Sequence, residues 1–341
     1  MYWLKRLQIL GINIDIYDPI FQALIILGII GFFVACTLLK FFAYLTCGYY
    51  RGPEDMEGKV VLITGANGGI GFETTKELAR RGATVIMACR NVISANRAKD
   101  EIVRVTKNDK VSVKSLDLSS QKSIREFAED INKTLTRLDV LIHNAGTAEW
   151  NYSKTEDGLE TTMATNHFGP FLLTHLLIDL LKKSEPSRIV VVASELYRLA
   201  SLNLDNLNPT GGIFPAYYYY VSKYANIVFT MELAKRLELT GVTANCLHPG
   251  LIDSGIWRNV AAPLSWGLRL IAWAFFKTPE QGCQTTVFCA VSEELEGVTG
   301  RYFLDCAERG LSSGCKDEDK AKKLWELSEN FVGLRATDPK I

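Results

Sequence analysis

The sequence predicts an α/β protein: a doubly wound parallel sheet behind an N-terminal transmembrane helix. Two observations carry that prediction. From Gly58 onward short apolar runs alternate with charged, periodic stretches, as expected of strands buried between two helix layers. Ahead of them, Ile20 to Leu39 runs twenty residues without a charge, enough to cross a hydrocarbon core of about 30 Å.

The apolar run comes first in the chain. A cleaved signal peptide would have a shorter core nearer the start and a small-residue cleavage site, and a buried helix would keep a polar face; this run has neither set of features. KVVLIT (59–64) reads as a strand and GFETTKELARRG (71–82) as a helix closed by glycine. ATVIMAC (83–89) is the next strand, followed by a charged helix from about Ser94 to Val105 and the strand KVSVKSLDL (110–118). The helix SIREFAEDINKTL, the strand LDVLIHNAG, the long helix through HFGPFLLTHLLIDLLKKS and the strand SRIVVVAS continue the alternation, and VTANCLHPG (242–250) adds a late strand. No repeat or low-complexity segment interrupts it.

The bulk numbers fit a globular chain and exclude several partners. Of 341 residues 48% are hydrophobic and 22% charged, and 38 Lys and Arg balance 38 Asp and Glu, so no net field attracts nucleic acid. The eight cysteines form no CxxC pair and read as reduced thiols of a chain facing the cytosol. His167 and His175 lie near each other in sequence, but no Cys or carboxylate stands at metal-ligand spacing beside them; no metal site is expected.

Between the first strand and the first helix of the sheet stands TGANGGIG, with Gly65, Gly69 and Gly71. Glycines there permit a tight turn and close backbone approach, so that a pyrophosphate can meet free amides at the helix N-terminus. The second strand ends Ala88, Cys89, Arg90, without the acid that would hold a ribose 2′-hydroxyl and with an arginine suited to a 2′-phosphate, which favours NADP(H). A second motif is AYYYYVSKYANIVFT (216–230). Residues three or four apart share a helix face, so Lys223 can reach either Tyr219 or Tyr220.

The spacing T-G-x-x-x-G-x-G resembles the short-chain dehydrogenase/reductase superfamily, and further motifs appear in that family's order over most of 58–310: NAG at Asn144 to Gly146, Asn166 ahead of HFGPFLLT, Ser194 at the end of RIVVVAS, and Pro249 with Gly250. The resemblance implies a Rossmann-type fold, and Ser222 just before Lys223 selects Tyr219 over Tyr220. Tyr220 is then a neighbour of the site, and Tyr217 and Tyr218 are loop or pocket wall. LARRGATVIMACRN, SKTEDGLE, SKYANIVFT and KTPEQGCQTTVFCAVS narrow the resemblance to the microsomal retinol dehydrogenase group, also called retinal reductases. Two departures stand out: Ala193 precedes Ser194 where the family pairs two serines, and His143 replaces the usual Asn before NAG.

The resemblance implies a tetrad of Asn166, Ser194, Tyr219 and Lys223. Tyr219 exchanges a proton with the substrate oxygen, Ser194 hydrogen-bonds that oxygen, Lys223 holds the nicotinamide ribose, and Asn166 supports a water chain ending near the lysine. Tyrosine starts near pKa 10, and the lysine ammonium together with an oxidised nicotinamide should bring it toward neutrality. By the same resemblance the cofactor touches Gly65, Asn67, Gly69, Ile70, Gly71, Arg90, Asp117, Leu118, Asn144, Gly146, Tyr219, Lys223, Pro249 and Gly250, with Asp117 and Leu118 flanking the adenine at the end of the third strand.

The domain reading is therefore residues 1–54 as anchor and linker and 55–341 as one dinucleotide-binding catalytic domain. A substrate lid is expected at about 255–277, where LSWGLRLIAWAFF is apolar but too short to span a bilayer. That lid beside an anchor suits a membrane-dissolved retinoid, steroid or lipid aldehyde; a cofactor-binding scaffold without turnover is the alternative. The resemblance implies the endoplasmic reticulum membrane with the domain facing the cytosol, or a mitochondrial membrane, and allows a homodimer. Asn132 and Asn151 head glycosylation acceptor triplets and would report a lumenal domain.

Overall fold

The computed structural model describes residues 6–9, 12–15, 18–211, 217–252 and 276–341. It forms two compact units that part between Cys47 and Gly48. In the first, β1 (Arg6–Ile9) and β2 (Ile12–Asp15) pair antiparallel, a hairpin that the sequence reading does not foresee. Next comes α1 (Pro19–Thr46). The Asp18 side chain caps it by accepting the Ile20 amide at 2.8 Å, and Pro19 occupies the first turn, where a missing N–H is harmless. Its 28 residues make a rod of about 42 Å, and the stretch Pro19–Phe41 is long and apolar enough to cross a membrane. Leu24, Leu27, Phe32 and Leu38 stand exposed on it, a surface suited to lipid rather than water.

The second unit contains β3 (Val60–Thr64), α2 (Gly69–Arg80), β4 (Thr84–Cys89), α3 (Val92–Thr106), β5 (Val111–Ser115), α4 (Gln121–Thr134) and β6 (Val140–His143). After β6 come the short α5 (Thr161–Met163), a π-turn (Ala164–Phe168), α6 (Gly169–Lys183), β7 (Ser187–Val192), α7 (Tyr217–Arg236) and β8 (Val242–His248). The unit closes with α8 (Pro279–Val291), β9 (Tyr302–Leu304), β10 (Ala307–Glu308) and α9 (Glu318–Phe331). Among the described residues the sheet runs β10-β9-β8-β7-β6-β3-β4-β5, parallel except at β10.

The chain moves outward from β3 through β4 to β5, then returns to the other side of β3 with β6. That reversal opens a crevice at the carboxyl ends of β3 and β6, where ligands of such sheets bind. Alternate residues of each strand face opposite layers. Leu62, Ile86, Leu141 and Ile189 join the α4, α6 and α7 side, while Val61, Ile63, Val85 and Ile142 join the α2, α3 and α8 side. Both faces being buried explains why the strands read as unbroken apolar runs.

The helices begin where the sequence supplies caps: Asn91 for α3, Ser120 for α4, a Thr278–Gln281 capping box for α8 and Asp317 for α9. β9 and β10 have no counterpart in the sequence reading, because two- and three-residue strands carry no usable period, and α9 is not assigned there either. The expected lid at about 255–277 lies outside the described residues, except for 276 and 277.

Candidate active site

The turn after β3 owes its shape to its glycines. Gly65 and Gly69 hold φ of +67° and +54°, in the region that side chains disfavour. Gly71 is required by proximity: a Cβ there would stand 2.3 Å from Gly65 O and 2.5 Å from Asn144 Nδ2. Asn144 in turn donates to the carbonyls of Thr64 and Gly65 at 2.9 and 3.1 Å. The Thr64 hydroxyl accepts the amides of Asn144 and Ala145, so the ends of β3 and β6 are stapled together at the crevice. Thr64 is a residue that the sequence reading passes over.

No side chain caps α2 at Gly68, so the first amides of the helix, at Gly69, Ile70 and Gly71, keep their donors for a ligand. Asn67 ties the turn to α3 through Ser94 Oγ at 2.8 Å. Arg90 follows β4, is exposed, and has no hydrogen-bond or ion-pair partner among the described residues. Asp117 and Leu118 lie beyond β5, which ends at Ser115 rather than at 118; Asp117 accepts the Ser119 amide at 2.9 Å and thereby shapes the turn. Pro249 is buried after β8, and Gly250 holds φ of +100° against the Lys277 side chain. A bare helix N-terminus, a cradle that a Cβ would fill and an unpaired arginine at the next strand's end fit a phosphorylated dinucleotide.

On the other side of the crevice the four tyrosines separate. Tyr217 accepts the Ser201 amide at 2.9 Å and Tyr218 donates to Gly211 O at 2.6 Å, so both are fastened to the wall. Tyr220 sets its ring edge-on to those of Tyr217 and Tyr219. Tyr219 alone of the four has the Ser194 hydroxyl as a neighbour that favours its phenolate. Lys223, one turn on, is buried, lies 5.5 Å from the centre of the Tyr219 ring and donates to Val192 O at 2.7 Å.

The charges of this cluster follow from burial. Tyr219 is half-buried and keeps some accessible surface. Burial pushes its pKa up to about 12 against the counter-pull of Ser194. Among the chain's own groups the shift is thus away from neutrality, contrary to the expectation from Lys223. Burial also lowers Lys223 to about 8, which leaves it mainly an ammonium at neutral pH.

Asn166 is fully buried in the π-turn that leads into α6. Its Oδ1 accepts the Thr147 amide at 2.8 Å, and its Nδ2 donates to Thr147 O at 2.8 Å and to Ser222 Oγ at 3.0 Å. Ser222 passes its own hydrogen to Tyr219 O at 2.7 Å. Gly146 lies among them, since a Cβ there would be 3.5 Å from both Asn166 Oδ1 and Lys223 Nζ. Every predicted catalytic residue therefore belongs to one cluster, and Thr147 and Ser222 are members that the sequence reading does not assign. His143 points into the α6 layer, with Nε2 2.8 Å from Thr174 Oγ1.

Known proteins are similar to this chain in sequence and in fold. Residues 59–264 match the short chain dehydrogenase family. Human retinol dehydrogenase 14 is 47% identical over 83% of this chain and 88% of its own length. Mouse retinol dehydrogenase 12 is 45% identical over 89% of this chain and 95% of its own. A Mycobacterium paratuberculosis protein of known crystal structure, 33% identical, superimposes with a TM-score of 0.66 over 82% of this chain and 95% of its own. The family's members bind NAD(P)(H). The chain belongs to the short chain dehydrogenase family and is an oxidoreductase built on a dinucleotide-binding sheet.

Proposed function

We propose that the chain is an NADP(H)-dependent oxidoreductase that interconverts a membrane-dissolved alcohol and its aldehyde, with retinol and retinal as the leading pair. The observation that carries the chemistry is the grouping of Tyr219 beside Ser194, with the buried Lys223 ammonium 5.5 Å from the Tyr219 ring. The names of the relatives support the substrate class, and the apolar α1 supports a substrate drawn from lipid. When bound, the nicotinamide supplies or accepts the hydride at the substrate carbon. Ser194 then donates to the substrate oxygen, and Tyr219 gives that oxygen a proton in reduction or takes one in oxidation. A phenol near pKa 12 is fully protonated at neutral pH, which suits it to the donor's part. The Lys223 ammonium stabilises the phenolate left behind.

In this reading the amides of Asn67, Gly69, Ile70 and Gly71 hold the pyrophosphate, Gly65 shapes the turn while its own amide donates to Ala88 O at 2.9 Å, and Arg90 takes the 2′-phosphate as a bidentate partner. Asp117 and Leu118 flank the adenine; Asn144, Gly146, Pro249 and Gly250 shape the nicotinamide end. α1 anchors the catalytic unit, which we place on the cytosolic face of the endoplasmic reticulum. The test is to incubate membranes carrying the full chain with NADPH and all-trans-retinal, steroid ketones or alkyl aldehydes. Retinol should accumulate fastest. Turnover of a steroid ketone alone would replace the substrate, and no turnover of any carbonyl would favour a non-catalytic scaffold.

A further inference from the structure

Asn166 raises a local problem that the fold solves in an informative way. The amide that would normally return to its carbonyl belongs to residue 170, and Pro170 has none. The Asn226 side chain on α7 fills the place, Nδ2 donating to Asn166 O at 2.8 Å. Its other end, Oδ1, lies 3.2 Å from His167 Nδ1. Since an oxygen cannot donate, Nδ1 must carry the ring proton. His167 is fully buried, and that burial lowers its pKa to about 4, so the ring is neutral and Nε2 is bare. Ser328 Oγ, 2.9 Å away on α9, can supply its hydrogen, in competition with Leu324 O at 2.7 Å. Two protons of the chain are then assigned, from His167 to Asn226 and from Asn226 to the Asn166 carbonyl, while the Ser328 hydrogen is divided between Leu324 O and His167 Nε2. With the Asn226 amide reversed, two oxygens would face each other in a buried site.

We propose that His167, held by Ser328 of the C-terminal helix, is a positioning residue that orients the Asn226 amide and through it fixes Asn166. The proposal rests on the reading of Asn166 as part of the reacting site. It makes α9, more than 150 residues along the chain, a support of that site rather than a cover for the core: the His167–Ser328 pair spans 161 positions.

The test uses full-length protein in membranes, with NADPH and all-trans-retinal as probes. His167→Leu removes the donor, and kcat should fall about ten- to a hundredfold while KM for both probes stays within about twofold. His167→Asn places an amide donor near the position of Nδ1 and should restore most of the loss. Unchanged kcat in His167→Leu, or an equal loss in His167→Asn, overturns the proposal. If His167→Leu fails to fold, read as lost NADPH binding, Ser328→Ala carries the test: a lower kcat at unchanged KM supports it, and an unchanged kcat overturns it. Nitrogen-15 spectra of histidine-labelled protein in micelles read the tautomer without turnover. The signal lost in His167→Asn should show a protonated Nδ1 and a bare Nε2, and the reverse sinks the relay. A wild-type protein inert toward retinal would count against the proposed substrate, while the tautomer still decides the relay.

Discussion

The two sides of the crevice are made of different material. Around β3 and α2 the site is backbone: glycines at +67° and +54°, a glycine pressed on a carbonyl, and uncapped amides. Around the π-turn and α7 it turns on polar side chains: Asn166 bonds the Thr147 backbone and Ser222 Oγ, Ser222 bonds the Tyr219 carbonyl, and Lys223 bonds the Val192 carbonyl. Backbone suits a ligand recognised by its phosphates, whose shape does not change during reaction. Buried side chains suit a task in which protons move and hydrogen bonds must be fixed in advance. Substitutions on the two sides should therefore fail differently, one in binding and the other in turnover.

The largest effect is expected on the side-chain half. Tyr219→Phe keeps the ring and removes the acid, so kcat for retinal reduction should drop by about a hundredfold or more with NADPH affinity little changed. Tyr220→Phe, whose ring only abuts its neighbours, should retain most activity. Collapse in Tyr220→Phe with an active Tyr219→Phe would reverse the assignment.

Arg90→Ala probes the other half. A charge-assisted bidentate contact is worth roughly 1.5–3 kcal/mol, so the preference for NADPH over NADH should shrink about ten- to a hundredfold while kcat at saturation holds. Titrating both cofactors by fluorescence decides it, and an intact preference would transfer the phosphate to another residue.

Paired alanine substitutions at glycine sharpen the contrast further. Gly71→Ala puts a methyl 2.3 Å from the Gly65 carbonyl, which must move, at a cost of about 1–3 kcal/mol in thermal stability and with weaker NADPH binding. Gly146→Ala meets its neighbours at 3.5 Å, an ordinary contact, and should fold normally. Equal melting temperatures for both variants would mean that the cradle is looser than its geometry states.

The same contrast explains what was legible in the sequence. Gly65, Gly69 and Gly71 announce a turn because the requirement is local and only one residue type meets it. Tyr219 and Lys223 share a helix face, so their pairing could be narrowed to two tyrosines, and only the family's order chose between them. The partners of Asn166 are spread from Thr147 to Asn226, and no local pattern joins them. The π-turn left one trace, Pro170 four residues after Asn166, which removes a helical donor and could have marked the irregularity. The upward shift of Tyr219 was missed for a related reason. Proximity to a lysine can be read from spacing, whereas the depth of burial that outweighs it exists only in the fold.

The smallest effect tests the seam between the halves, at His143. Thr174 Oγ1 gives its hydrogen to Pro170 O at 2.8 Å, so His143 Nε2 must donate to Thr174 and Nδ1 is left buried without a partner. Burial lowers His143 to about 3, and His167, His175 and His248 to about 4, from 6.5. The sign follows directly: between 6.5 and about 4 the unfolded chain binds protons that the folded chain refuses, so stability is complete above 6.5 and falls with pH. Each histidine contributes a slope of up to about 1.4 kcal/mol per pH unit. His143→Asn removes one such group and supplies an amide that can still donate to Thr174. The variant's melting temperature should fall less than that of the wild type between about pH 7 and pH 5, by roughly one histidine's share. Parallel curves would mean that His143 is already protonated in the fold, and the dry environment inferred for the end of β6 would have to be given up.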